Sequence, residues 1–120
     1  MNPDQLKDKI IAALEDVKGS QIVALDVRKL TGMTDYMVIA SGSSNRQVKA
    51  LAENVIDELR KDGLRPIGSE GETAADWILI DFADVVVHVM LPEARTFYDL
   101  ERLWSDSSGS DSRESESSGD

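Results

Sequence analysis

Cysteine is absent from the 120 residues and histidine occurs once. Without cysteine the chain has no disulfide, no thiolate nucleophile and no thiolate metal ligand. With a single histidine, a zinc site would rest on carboxylates, which seldom suffice alone. Two residues each of Trp, Tyr and Phe are few enough that each tryptophan needs a reason. No apolar run reaches the ~18 residues of a membrane-spanning helix. The start, Met1-Asn2-Pro3-Asp4, moves straight into an amphipathic pattern without the basic opening and apolar stretch of a secretory signal. A cytosolic protein without membrane contact is the expectation. Basic residues are also scarce: 13 Lys and Arg against 23 Asp and Glu leave a formal charge of −10. Such a field repels phosphate backbones, which argues against direct DNA binding. It steers toward a basic surface, or merely keeps the chain soluble; charge alone does not choose.

What is present divides into two parts. Residues 106–120 hold five acidic residues and one arginine among Ser and Gly, a net of −4, so residues 1–105 carry −6. With no apolar side chain to bury, the last stretch cannot offset its ordering entropy and reads as a disordered acidic tail. Residues 1–105 read as one domain of ordinary size.

The domain opens with a helix over about 3–18, capped by Asn2, with Pro3 in its first turn and a stripe of Leu6, Ile10, Ala13, Leu14 and Val17. Gly19 is expected to end it. Ile22-Val23-Ala24-Leu25 reads as a short buried strand. Tyr36-Met37-Val38-Ile39-Ala40, which does not alternate, reads as a strand covered on both faces. A second helix over about 45–62 follows, with a capping box from Ser44 to Gln47 and a stripe of Val48, Leu51, Ala52, Val55, Ile56 and Leu59. A strand near 64–67 would complete a unit resembling βαβ. Two strands at about 75–81 and 84–91, joined tightly through Phe82-Ala83, form an antiparallel hairpin. Pro92 opens a last helix through Trp104. The order α-β-β-α-β-β-β-α predicts an α/β domain with a mixed sheet of about five strands and helices packed on it.

Chemistry is hard to build from these residues. His88 lies inside Val85-Val86-Val87-His88-Val89-Met90-Leu91, where a lone imidazole is more often structural than catalytic. A triad lacks a nucleophile-elbow pattern. The turn Ser41-Gly42-Ser43-Ser44, between a strand and a helix N-terminus, presents amides that can hold a phosphate. Nucleotidyl transfer also needs two strand carboxylates one residue apart to clamp magnesium. Glu70-Gly71-Glu72 has that spacing but sits in a loop, and Asp81 and Asp84 stand too far apart. A helix cap and tight turn explain the Ser-Gly stretch more simply. Asp26, Asp35, Asp76, Asp81 and Asp84 fall at strand ends, where turns favour aspartate. No catalytic residue, metal or cofactor is expected.

Recognition is better served. Alternation puts Trp77, Leu79 and Asp81 on one face of their strand, and His88 with Val86 and Met90 on one face of the next. If the two faces coincide, the hairpin carries an amphipathic patch with an aromatic anchor, the residue type enriched in interface cores. The last helix adds Arg95, Tyr98, Glu101 and Arg102 beside Phe97, Leu100 and Trp104. The competing reading is that both tryptophans are simply core.

The same residues carry a resemblance. The string from Thr34 to Val48, Thr-Asp-Tyr-Met-Val-Ile-Ala-Ser-Gly-Ser-Ser-Asn-Arg-Gln-Val, resembles the signature of the RsfS/Iojap ribosomal silencing factors. So do Glu70-Gly71-Glu72, Trp77-Ile78-Leu79-Ile80-Asp81, the run from Asp84 to Met90, and the ending from Arg95 to Trp104. The match covers nearly all of residues 3–105, and the tail lies outside it. The resemblance implies a nucleotidyltransferase-like fold without catalysis, and binding to large-subunit ribosomal protein fourteen on the face that meets the small subunit. Occupying that face blocks subunit joining and represses translation under nutrient limitation. It also implies self-association, hence a homodimer when free. The expected contact residues are Trp77, Leu79, His88, Met90, Tyr98 and Glu101, with Glu70 and Asp76 at the rim. Two alternatives stand beside this: a large-subunit assembly factor, and an orphan nucleotidyltransferase-like enzyme.

Overall fold

A computed structural model describes residues 1–98, with side chains as far as Arg95. The tail expected at 106–120 and the last helix beyond Tyr98 lie outside the described residues. Asn2 caps the first helix, α1 (Pro3–Asp16), through a complete capping box with Gln5. The Gln5 amide donates to Asn2 Oδ1 at 2.8 Å and the Asn2 amide to Gln5 Oε1 at 3.1 Å. The helix stops two residues before the expected 18. Lys18, at φ +60°, rather than Gly19 takes the left-handed position that turns the chain, and the Gly19 amide donates to the Leu14 carbonyl at 2.9 Å.

The second helix, α2 (Asn45–Lys61), buries Val48, Leu51, Ala52, Val55 and Leu59, the expected stripe apart from Ile56, which is only partly covered. The Asn54 side-chain amide donates to the Ala13 carbonyl at 2.7 Å and ties the two helices together. Both pack on one face of a five-stranded sheet built from β1 (Ser20–Asp26), β2 (Tyr36–Ser41), β3 (Gly68–Glu70), β4 (Trp77–Asp81) and β5 (Val85–Met90), ordered β1-β2-β5-β4-β3. β2 runs parallel to β5, and the other three pairings are antiparallel, so the sheet is mixed. A short helix, α3 (Pro92–Tyr98), follows β5.

The core lies in two layers. Tyr36, Val38, Ala40, Ile78, Ile80, Val85, Val87 and Val89 meet α1 and α2. At about 1.5–3 kcal/mol for each fully buried large aliphatic, this layer dominates the stability. On the other face Met37, Ile39 and Met90 are covered by Val27 and Leu30 of the segment after β1 and by Ala94 of α3. β2 is therefore buried along its whole length, as its unbroken apolar run requires.

Three expectations need correction. β1 is a half-exposed edge strand rather than a buried one. The strand expected near 64–67 is β3, at 68–70. Pro66 has no amide for a ladder, and Ile67 is 74% exposed, its own amide donating to the Asp81 carbonyl at 2.8 Å. The parallel neighbour of β2 is β5. The crossover through α2 reaches β3 on the far side of β5 and β4. The hairpin of β4 and β5 is antiparallel as expected, with three residues, 82–84, in its connection.

Candidate functional site

Strand register lays the sheet face opposite α1 and α2 out in rows. Val23, Ile39, His88, Leu79 and Glu70 stand side by side across all five strands. One row toward the end of β5 come Ser41, Met90 and Trp77; one row the other way come Leu25, Met37, Val86, Asp81 and Gly68. The Trp77 and His88 faces therefore coincide. The β1–β2 half of this face is closed by the segment around Val27 and by α3. Arg95 of α3 is buried there and donates through Nη1 to Ser41 Oγ at 2.9 Å. The β4–β3 half is different: Trp77, Leu79, Asp81 and Val86 are all half-buried, and Glu70, Asp76 and Asp84 are exposed around them. A shallow cleft of about 270 Å³ lies between Glu70, Gly71, Trp77 and Leu79. Gly71 shapes its floor at φ +94°, where a Cβ would come 2.1 Å from the Trp77 carbonyl oxygen.

Two of the expected contact residues lie under the surface. Met90 is fully buried and His88 is 5% exposed, so both support the face from below. Tyr98 is the last residue of α3 and its side chain lies outside the description, as does Glu101 altogether. Val86 and Asp81 join the face by register. The alternation that placed Trp77 carried both, although neither was singled out as a contact.

The Trp77 indole Nε1–H donates to His88 Nδ1 at 2.9 Å, with ring centroids 5.8 Å apart and planes tilted by 42°. An accepting Nδ1 puts the ring proton on Nε2. Burial pushes the His88 pKa down to about 4, so the ring is neutral near pH 7. Its neighbours across the ladder, Ile39 and Leu79, offer no acid to make it a general base. Glu72, beside the face, accepts a hydrogen bond from the Ser69 hydroxyl, which lowers its pKa and keeps it ionised. No group of three or more His or acidic side chains that could hold a metal occurs among the described residues.

The Ser-Gly turn is already satisfied by the protein. The Gly42 amide donates to the Met90 carbonyl at 3.1 Å, and the Ser43 amide to Gln47 Oε1 at 2.7 Å. Ser44 Oγ caps α2 by accepting from the Gln47 amide at 3.1 Å. The box expected between Ser44 and Gln47 thus closes one residue earlier, on Ser43. Gly42 is small because α2 passes close by: a Cβ there would lie 2.9 Å from the Val48 nitrogen. Two amides that a phosphate would need are therefore spoken for, and the turn serves as a cap and a packing contact.

A domain of this topology matches a known family along its length. The family described as "Ribosomal silencing factor during starvation" (RsfS) matches residues 1–120. The chain belongs to the ribosomal silencing factor family. The RsfS of Chromobacterium violaceum is 49% identical over 104 residues, 87% of this chain and 85% of that protein. A crystal structure of a Chromobacterium violaceum protein superposes with a TM-score of 0.86 at 46% identity, covering 94% of this chain and 92% of that one. A mouse protein named mitochondrial assembly of ribosomal large subunit protein 1 is 34% identical over 100 residues, 81% of this chain and 44% of its own length. The five-stranded mixed sheet is thus the RsfS fold. Among the described residues, no helix of this RsfS domain is long and apolar enough to cross a membrane.

Proposed function

We propose that the protein binds the large ribosomal subunit through ribosomal protein fourteen, using the open half of its sheet, and so keeps the small subunit from joining. The result is repression of translation under nutrient limitation. The observation that supports this docking surface is the strip of Trp77, Leu79 and Val86, half-buried on the sheet face opposite α1 and α2 and bordered by Glu70, Asp76, Asp81 and Asp84. An apolar strip inside an acidic rim fits a basic protein surface: the charges steer the encounter and the desolvated centre holds it. Tyr98 and Glu101 are proposed as further contacts on the resemblance alone. His88 and Met90 act from beneath. A homodimer in the free state is a corollary, since a second copy can cover the same strip. No step of bond-making is involved; occupancy does the work.

The test is a subunit-joining assay with purified ribosomal subunits. Protein in slight excess over large subunits lowers the joined fraction, and Trp77→Ala, checked for folding by its melting curve, restores joining. A wild-type protein that leaves joining unchanged overturns silencing by occlusion. A second reading, large-subunit assembly, is favoured by the name of the mouse relative. It predicts large-subunit binding without any effect on joining, so the same assay separates the two.

A further inference from the structure

We infer that His88 is a positioning residue for the docking face, its Nδ1 holding the Trp77 indole in the orientation that a partner meets. The inference rests on the docking reading above and adds a residue that never touches the partner. His88 occupies the middle of the row Val23, Ile39, His88, Leu79, Glu70, where its ladder neighbours are Ile39 and Leu79. An aliphatic side chain would fill such a place without burying a polar ring, which is unfavourable unless the ring is hydrogen-bonded. What imidazole offers over leucine is an acceptor, and it is used: Trp77 Nε1 lies 2.9 Å from Nδ1.

The consequence falls on Trp77. A half-buried indole at the centre of an interface has to present its ring edge-on or flat in one pose, or ordering it on binding costs affinity. Its N–H also needs an acceptor once the partner excludes water, because an unsatisfied buried donor is expensive. Bonding to His88 meets both needs before the partner arrives, with the ring centroids 5.8 Å apart and the planes tilted by 42°. His88 is buried at 5% exposure, so a partner cannot displace the bond by competing for Nδ1.

The test uses the full chain labelled with ¹⁵N-tryptophan, together with His88→Leu and His88→Asn. Asn places a carbonyl oxygen where Nδ1 stood, whereas Leu keeps apolar volume and removes the acceptor. The Trp77 indole N–H signal, assigned by its loss in Trp77→Phe, is expected to exchange slowly with solvent in the wild type and in His88→Asn, and to shift and exchange faster in His88→Leu. Affinity for isolated large subunits is expected to fall about tenfold in His88→Leu and to recover largely in His88→Asn. Tight wild-type binding with an indifferent, folded His88→Leu overturns the positioning role alone. A wild type that does not bind large subunits overturns the docking reading and the positioning role with it. If His88→Leu does not fold, the wild-type signal decides: exchange as fast as that of a solvent-exposed indole overturns the inference.

Discussion

The buried imidazole gives this domain an acid sensitivity of calculable size. The perturbation is a fall in pH from about 7.5 to about 5, above the range where ordinary carboxylates titrate. In the unfolded chain His88 takes up a proton near 6.5, whereas burial holds its folded pKa down at about 4. Between those values the unfolded state binds more protons than the folded state, so stability falls as pH falls. The contribution is fully present above 6.5, declines through the window, and levels off below about 4. At about 1.4 kcal/mol per tenfold in proton affinity, the whole window is worth about 3 kcal/mol, and about 2 kcal/mol of it is lost by pH 5. Asp26 and Glu72 do not blur the result. Arg28 lowers the Asp26 pKa to about 2, and the Ser69 hydroxyl lowers that of Glu72, so the stability they add is lost only at lower pH. The assay is urea unfolding of the wild type and of His88→Gln, which cannot titrate, at both pH values. The wild type should lose about 2 kcal/mol more than the variant between them. Equal losses would refute the reasoning and place the imidazole in water.

Three further predictions follow from single positions. Met90→Ala removes a fully buried side chain and should cost about 2–5 kcal/mol in thermal unfolding, far more than any surface contact residue. Gly71→Ala combines a backbone at φ +94° with a Cβ 2.1 Å from the Trp77 carbonyl. It should destabilise by about 2–4 kcal/mol and weaken large-subunit binding beyond what the loss of folded protein explains, read by calorimetry and pull-down together. Ala83, exposed in the hairpin connection at φ +71°, should gain about 0.5–1 kcal/mol when changed to Gly, seen as a higher urea midpoint.

Much of this architecture was legible because periodicity and burial agree. The helical stripes of α1 and α2 match the buried residues apart from Val17, which caps α1, and Ile56, and the unbroken run from Tyr36 to Ala40 announces a strand covered on both sides. Alternation in Trp77-Ile78-Leu79-Ile80-Asp81 and in Val86-Val87-His88-Val89-Met90 sorts each strand into two faces, but whether the Trp77 and His88 faces coincide depends on the register, which pairs Leu79 with His88 and makes them one. Other features depend on partners that no local pattern encodes. Leu64 and Ile67 look like strand residues, yet Leu64 packs back on the core and the strand forms at Gly68–Glu70, where β4 supplies the ladder. β1 is apolar enough for the interior but ends at a sheet edge. The depth of the face was also hidden: alternation tells which side His88 and Met90 point to, not that α3 and the Val27 segment cover half of that side. Resemblance supplied the family, and strand alternation supplied the candidate strip.

The most direct measurement is sedimentation of the protein with separated large subunits, separated small subunits and joined ribosomes. The account predicts co-migration with the large subunit alone, abolished by Trp77→Ala in a folded variant. Co-migration with small subunits or joined ribosomes, or large-subunit binding that does not depend on Trp77, would contradict it.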